Sequence, residues 1–400
     1  MNYNSFEQEL NAFRQKGQYR TLNTVAQRDQ TTAEVHGRRC LNLSSNDYLG
    51  LGADRRRLEN FLSTQPPHEL LEEFGFSSSS SRLLTGNSPA YDALEHELCD
   101  MYHAEAACVF NSGYHANIGI ISALTKRNDL VLSDKLNHAS IMDGLRIAAA
   151  DFLRYRHLDY EHLETLLKKH HGTHRRLFIM SESVFSMDGD VADLYRLVDL
   201  KKRYDAFLIL DEAHAVGVFG ASGCGLCEDL GLLSEIDIIV GTFGKALASL
   251  GAYAVSRGVI KEYLVNTMRS LIFSTALPPV ILHWNRMMLQ TVRRMTTERR
   301  HLMKIATRLR QRLNAKQLRS NGASQIVPVL IGPNAPTVCL SEFLREQGYL
   351  IFAIRPPTVP PNTARLRLSL NAAMSWEQLK DIPGIIERYC HEHSLDTATA

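Results

Sequence analysis

Two short stretches of this sequence pair an acid and a base with apolar runs ahead of them. Phe207-Leu208-Ile209-Leu210 leads into Asp211-Glu212-Ala213-His214. Ile236–Val240 leads into Gly241-Thr242-Phe243-Gly244-Lys245. An acid directly after a buried strand is costly to desolvate unless it meets a positive partner, and a protonated pyridine nitrogen is one such partner. A lysine among small and apolar residues is disfavoured as a cation, and the neutral amine is what Schiff-base chemistry requires. Taken alone, Asp211 reads equally as a helix N-cap and Lys245 as a snorkelling surface lysine. Together with His214 and Thr242 they read as one site. Positions 211 and 245 are separated by about one crossover unit, so neighbouring strand ends can bring both to one crevice.

Three further strand ends point the same way. Asn111-Ser112-Gly113-Tyr114 follows Ala106–Phe110 and offers a glycine and a helix start to a phosphate. His138 follows Asp129–Ser133 and could lie flat on an aromatic ring. Ser186 follows Leu177–Ser181 and is a candidate donor to a ring oxygen. Asp188-Gly189-Asp190 resembles a calcium loop only superficially, because the remaining ligands are missing.

The elements that must carry these residues are short apolar runs alternating with helical stretches. The runs are 106–110, 129–133, 177–181, 207–210, 236–240 and 252–255, with helices predicted over 161–169 and 191–204. This predicts an α/β fold with a mostly parallel sheet covered on both faces. Residues 91–103 have helical spacing, and residues 5–20 read as an amphipathic arm. Past Pro278-Pro279 a long helical pattern runs over roughly 280–313. A smaller α+β part follows, with strands over 325–331 and 365–370 and helices over 338–346 and 376–391. The expected division is an N-terminal arm over 1–45, a large domain over 46–279 and a small domain over 280–400.

Composition narrows the function. The 400 residues are 44% hydrophobic and 22% charged, with a net charge of +2. That balance gives no reason to expect nucleic acid or an anionic membrane as partner. No apolar stretch approaches the ~20 residues of a membrane span, and the N-terminus lacks a signal-peptide pattern, so a cytoplasmic protein is expected. Seven cysteines, an odd number, argue against a disulfide framework. Cys224-x-x-Cys227 lacks a second ligand pair, and His170, His171 and His174 sit in a basic polar stretch; no metal site is expected. No strand is followed by Gly-x-Gly-x-x-Gly or a P-loop.

Six stretches in order resemble the α-oxoamine synthases, fold type I acyltransferases that depend on pyridoxal 5'-phosphate (PLP). They are Ser45–Gly50, Asn111–Tyr114, Phe185–Asp190, Asp211–His214, Gly241–Lys245 and Arg355–Pro360 through Thr363–Arg367. The resemblance covers about residues 38–375. It implies that Lys245 anchors the cofactor and acts as a base, that Asp211 pairs with the pyridine nitrogen, and that His138 stacks on the ring and helps catalysis. It places His214 and Ser186 on the ring oxygen and Gly113, Tyr114 and Thr242 at the phosphate. Ser274 or Thr275 would reach the phosphate of a neighbouring subunit, so a homodimer with shared sites is implied. Arg20, Asn46, Thr358 and Arg367 would bind substrate, Arg367 through the amino-acid carboxylate.

The substrates implied are a small amino acid and an acyl-CoA. Within the family the chain is most like members joining L-alanine to a pimeloyl group on CoA or a carrier protein. The rivals within it use glycine with acetyl- or succinyl-CoA, or serine with a long acyl chain. Outside it, a non-catalytic subunit that has lost the lysine is the other reading, and here the lysine is present. Two departures stand out. Ser77–Ser81 replaces a Gly-rich run, and because serine tolerates positive φ poorly the backbone there is expected to differ. Tyr91 stands where members often carry histidine.

Overall fold

A computed structural model describes residues 3–26, 28–64 and 75–395. The chain forms two compact units. One comprises Asp54–Phe185 and Val191–Arg299; the other comprises Met1–Ala53, Ser186–Asp190 and Arg300–Ala400. These units differ from the expected division at 45 and 279. Helix Pro279–Arg293 packs on helix Pro89–Tyr102 and so lies in the large unit. Ser186–Asp190 leaves the large unit and joins the other.

The large unit is built on a seven-stranded sheet. Its spatial order is Ala106–Phe110, Ala252–Ser256, Ile238–Thr242, Ala206–Asp211, Arg176–Glu182, Asp129–Asp134 and Asp151–Tyr155. Five of these strands pair in parallel, as the alternation of strand and helix predicts. Ala252–Ser256 is antiparallel to both neighbours. The turn 243–251 that carries Lys245 is too short for a crossover, so the chain can only fold straight back. Core residues such as Ile120, Ile141, Phe178, Ile209 and Val240 form a continuous apolar cluster. Side-chain caps start several helices: Ser112 accepts from His115 N, Asp159 from His162 N and Asp193 from Arg196 N.

One strand is displaced from its expected position. Ile236–Val240 is the apolar run, but the strand is Ile238–Thr242. Asp237 explains the shift. Its carboxylate accepts the Leu208 N–H at 2.7 Å and pairs with Lys201 at 2.8 Å, so this position serves as an anchor before the ladder begins. Thr242 consequently lies at the strand end. The helical pattern over 280–313 divides into Pro279–Arg293 and Thr296–Asn314. The Arg299 guanidinium takes the carbonyl of Val292 at 2.6 Å, satisfying the end of the first helix.

The other unit has two small sheets. Val25–Ala26, Thr32–Val35, Arg38–Asn42 and Tyr349–Leu350 form one; Ile326–Gly332, Ala364–Ser369 and Ala353–Ile354 form an antiparallel other. Helices Asn334–Glu346, Trp376–Leu379 and Ile382–Glu392 accompany them. The amphipathic arm is helix Asn4–Gln15, with no buried residue. Among the described residues, no helix is long and apolar enough to cross a membrane. Among them, too, no group of three or more His, Cys, Asp or Glu could hold a metal.

Candidate active site

In the large unit the expected strand-end residues converge. Asp211 closes its strand in register with Glu182 on the neighbouring strand, and both side chains are buried. Asn117, from helix Gly113–Leu124, donates to Asp211 Oδ2 at 2.8 Å, and the Ala213 N–H donates to Oδ1 at 2.8 Å. An ionised carboxylate has about four acceptor sites, so these two bonds leave Asp211 capacity for a further donor. Asn117 also donates to Ser140 Oγ at 3.0 Å, while its own Oδ1 is buried without a partner.

Lys245 leaves the next strand in the tight turn. Its Nζ shares a 2.8 Å hydrogen bond with His214 Nε2. Thr242 shapes this turn: its hydroxyl donates to Gly251 O at 3.0 Å and accepts the Gly244 N–H at 3.2 Å. A lysine amine beside an imidazole can exchange a proton with it directly.

His138 caps helix Ala139–Ile147. Its backbone N–H donates to Glu182 Oε1 at 2.6 Å, and Nδ1 meets Ser140 Oγ at 2.8 Å. The preceding loop is pinned by Asn137 to Met180 O and Ser133 Oγ, and by Asp134 to Leu136 N and Leu158 N. Although the residue is open to solvent, desolvation pushes the His138 pKa below the ordinary value; Asp211 pulls it up and Lys245 pushes it down. Burial and the Asp211 charge push the Glu182 carboxyl well above the ordinary range, against the pull of Lys245. Lys245, Asp211, His138 and Glu182 are thus one electrostatic cluster.

Gly113 opens its helix, and a Cβ placed there would meet nothing within 4 Å. Open space at a helix start, where N–H groups lack intrahelical partners, suits a phosphate. Tyr114 next to it donates its hydroxyl to Asp143. Thr275 lies beside the same turn, because Asn111 Nδ2 donates to Thr275 O at 2.7 Å.

The second unit holds the other expected residues. Arg367 makes five hydrogen bonds: to Ser186 O at 2.5 Å, to Ser369 Oγ at 2.6 Å, and to Tyr48 Oη and twice to Asn46 Oδ1 at 3.2 Å. Its acceptors are neutral, so the guanidinium charge is held in place but not cancelled. Arg20 Nη2 donates to Thr358 Oγ1 at 2.9 Å. Arg355, which opens the Arg355–Pro360 stretch and was given no role there, donates to Tyr19 O at 2.6 Å; burial and the like charge of Arg20 push its pKa down.

The sequence reading also missed Asn117 and Glu182 as site residues. Both lie just outside the stretches singled out above, Asn111–Tyr114 and Phe185–Asp190. Glu182 carried a signal, since like Asp211 it ends a buried run. Asn117 carried none, because only helix packing turns it toward Asp211.

Residues 38–384 match the family model of aminotransferase class I and II. The chain belongs to that family. It is 55% identical over 371 residues to the 8-amino-7-oxononanoate synthase of Chlorobaculum parvum, covering 93% of this chain and 95% of that protein. It is similar to a serine palmitoyltransferase variant from S. paucimobilis solved with a bound PLP–myriocin aldimine (28% identity, TM-score 0.89, 98% of both chains). It also resembles the 8-amino-7-oxononanoate synthase structure from Francisella tularensis (27% identity, TM-score 0.76, 89% of this chain and 99% of that one).

Within the family this chain is an α-oxoamine synthase type of enzyme, a PLP-dependent acyltransferase. The residues present fit PLP. An amine is available at Lys245, the buried Asp211 carboxylate retains acceptor capacity, and the space at Gly113 is open for a phosphate.

Proposed function

We propose that this protein condenses L-alanine with a pimeloyl thioester, carried by CoA or a carrier protein. The products are 8-amino-7-oxononanoate, CO₂ and the free thiol, in biotin biosynthesis. The observation that carries the reading is the 2.8 Å Lys245–His214 pair in one electrostatic cluster with Asp211. The 55% identity to an 8-amino-7-oxononanoate synthase supports the choice within the family.

PLP, when bound, supplies an electron-withdrawing ring that makes an amino acid's Cα proton acidic. Lys245 would hold the cofactor covalently, and its Nζ would take the Cα proton of the bound amino acid. His214, at hydrogen-bond distance, holds that amine and would meet the ring oxygen. Asp211 keeps the pyridine nitrogen protonated, and Asn117 and the Ala213 N–H hold its carboxylate in place. His138, whose pKa is lowered chiefly by desolvation, would lie on the ring and orient the acyl carbonyl. Gly113, Tyr114 and Thr242 hold the phosphate end. Arg367 receives the amino-acid carboxylate. Arg20 and Thr358 meet the acyl substrate.

The enzyme works as a cytoplasmic homodimer in which Thr275 reaches the phosphate held by the neighbouring subunit. Exposed Phe76, Leu83, Leu84 and Phe273 near the Ser81–Thr275 bridge support a subunit contact there. The test is thiol release from a panel of acyl-CoAs with alanine, glycine and serine. Alanine with pimeloyl-CoA should be the best pair. Preference for glycine with acetyl- or succinyl-CoA, or for serine with a long acyl chain, would assign another member's reaction.

A further inference from the structure

Tyr91, the residue that departs from the family's usual histidine, is buried in the large unit. Its hydroxyl accepts the Leu277 N–H at 2.6 Å, and the Arg82 guanidinium lies over its ring at 3.9 Å. Arg82 Nη1 donates to Glu95 Oε1 at 2.6 Å and to Val109 O at 3.2 Å, and its Nε donates to Asn87 Oδ1 at 2.8 Å. Glu95 in turn accepts the Val109 N–H at 2.9 Å and Lys261 Nζ at 2.7 Å. Val109 sits at the end of the strand that runs into the Asn111–Tyr114 turn.

The serine run is fastened to the same frame. Ser78 Oγ donates to Leu277 O, the Ala276 N–H donates to Ser80 O, both at 2.8 Å, and Ser81 forms a bridge with Thr275. Ser79 takes φ +47°, a conformation that favours glycine, and its N–H is held by Ser77 Oγ at 3.1 Å. The run therefore adopts left-handed backbone at one residue and offsets it with hydroxyl bonds that glycine could not make. Gly86 closes the turn where a Cβ would come within 2.5 Å of Ser80 O.

We propose that Tyr91, with Arg82 and Glu95, is a positioning network that sets Thr275 and the Asn111–Tyr114 turn in one frame and so governs how tightly the cofactor's phosphate end is held. None of the three is among the residues read as holding the cofactor; they act through Leu277, Val109 and the serine run. Burial pushes the Tyr91 phenol up to about 12, so it serves as a neutral acceptor at any working pH. The inference rests on the reading of Thr275 and the Asn111–Tyr114 turn as phosphate-end residues.

The test is a double-mutant cycle read as PLP affinity of the apoenzyme, followed by absorbance, with the melting temperature of each apoenzyme measured alongside. Tyr91→Phe keeps the ring under Arg82 and removes only the acceptor for the Leu277 N–H. It should weaken PLP binding about tenfold. Thr275→Ala should weaken it too, and the two losses should be less than additive, because one acts through the other. A Tyr91→Phe protein that melts lower but binds PLP within about twofold of the parent would overturn the proposal. Fully additive losses would do the same. Should Tyr91→Phe fail to fold, Arg82→Lys, which keeps the charge toward Glu95 but loses the planar stack, replaces it in the cycle with the same criteria. Thr275→Ala with unchanged affinity would sink the reading of Thr275 itself, while the Arg82→Lys affinity still tests the path through Val109 and Asn111.

Discussion

The Lys245–Asp211 region of the large unit and the Arg367 region of the other unit both gather charge, but they hold it differently. Around Lys245 the groups are acids and bases that shift one another: His138 is pushed down, and Glu182 is pushed up largely by burial and by Asp211. Around Arg367 a permanent cation is bound through five hydrogen bonds to four neutral acceptors. The first arrangement suits proton transfer, because its acids and bases lie within reach of one another's charge. The second cannot; it can only present a fixed charge in a fixed orientation. In the proposed reading, proton chemistry and carboxylate recognition would thus be served by different physical devices in the two units.

The sharpest way to break that contrast is at Lys245. Lys245→Ala should lower turnover at least about a thousandfold, since anchor and base are lost together. Borohydride reduction and peptide mapping of the parent should label Lys245; label on another lysine would end the assignment. Next in size, Asp211→Asn should still bind PLP yet lose about a hundredfold in turnover, because the amide cannot keep the ring nitrogen protonated. Near-normal turnover would remove Asp211 from the chemistry.

Arg367→Lys addresses the other side of the comparison. Three ammonium donors cannot replace a planar fork, so stability should drop by about 1–3 kcal/mol and the KM for the amino acid should rise, with a smaller change in kcat. A KM effect without any loss of melting temperature would mean that the five bonds are not a structural clamp.

The smallest effect concerns Glu212, next to Asp211. Buried and accepting the N–H groups of Leu226 and Cys227, its carboxyl is pushed up to about 7 from 4.5 by burial. The folded state therefore binds this proton more tightly than the unfolded chain. The stability it contributes is fully present below about 4.5 and is lost as pH rises through about 7. The melting temperature of Glu212→Gln minus that of the parent should rise steadily between those limits. A pH-independent difference would show that Glu212 is ionised throughout.

Much of the architecture was legible because strand and helix periodicities differ and the strand ends carry recognisable residue types. Asp211 stood directly after an apolar run, and Lys245, His214 and His138 a few residues past one, and the fold brings them together. The antiparallel return of Ala252–Ser256 was hidden, since pairing direction depends on loop reach. So was the start of its neighbour at Ile238, where Asp237 is committed to Leu208 and Lys201.

By itself, the sequence determined that an acid, an amine and two imidazoles end the strands of an α/β sheet, because local patterning decides which residues follow a buried run. Only the tertiary structure decided which partners those groups meet: Asn117 on Asp211, His214 on Lys245, and neutral oxygens on Arg367. It likewise decided that the serine run is fastened to Leu277 and Thr275. Hydrogen-bond partners distant in sequence depend on packing geometry at the scale of a few ångströms, which periodicity does not encode.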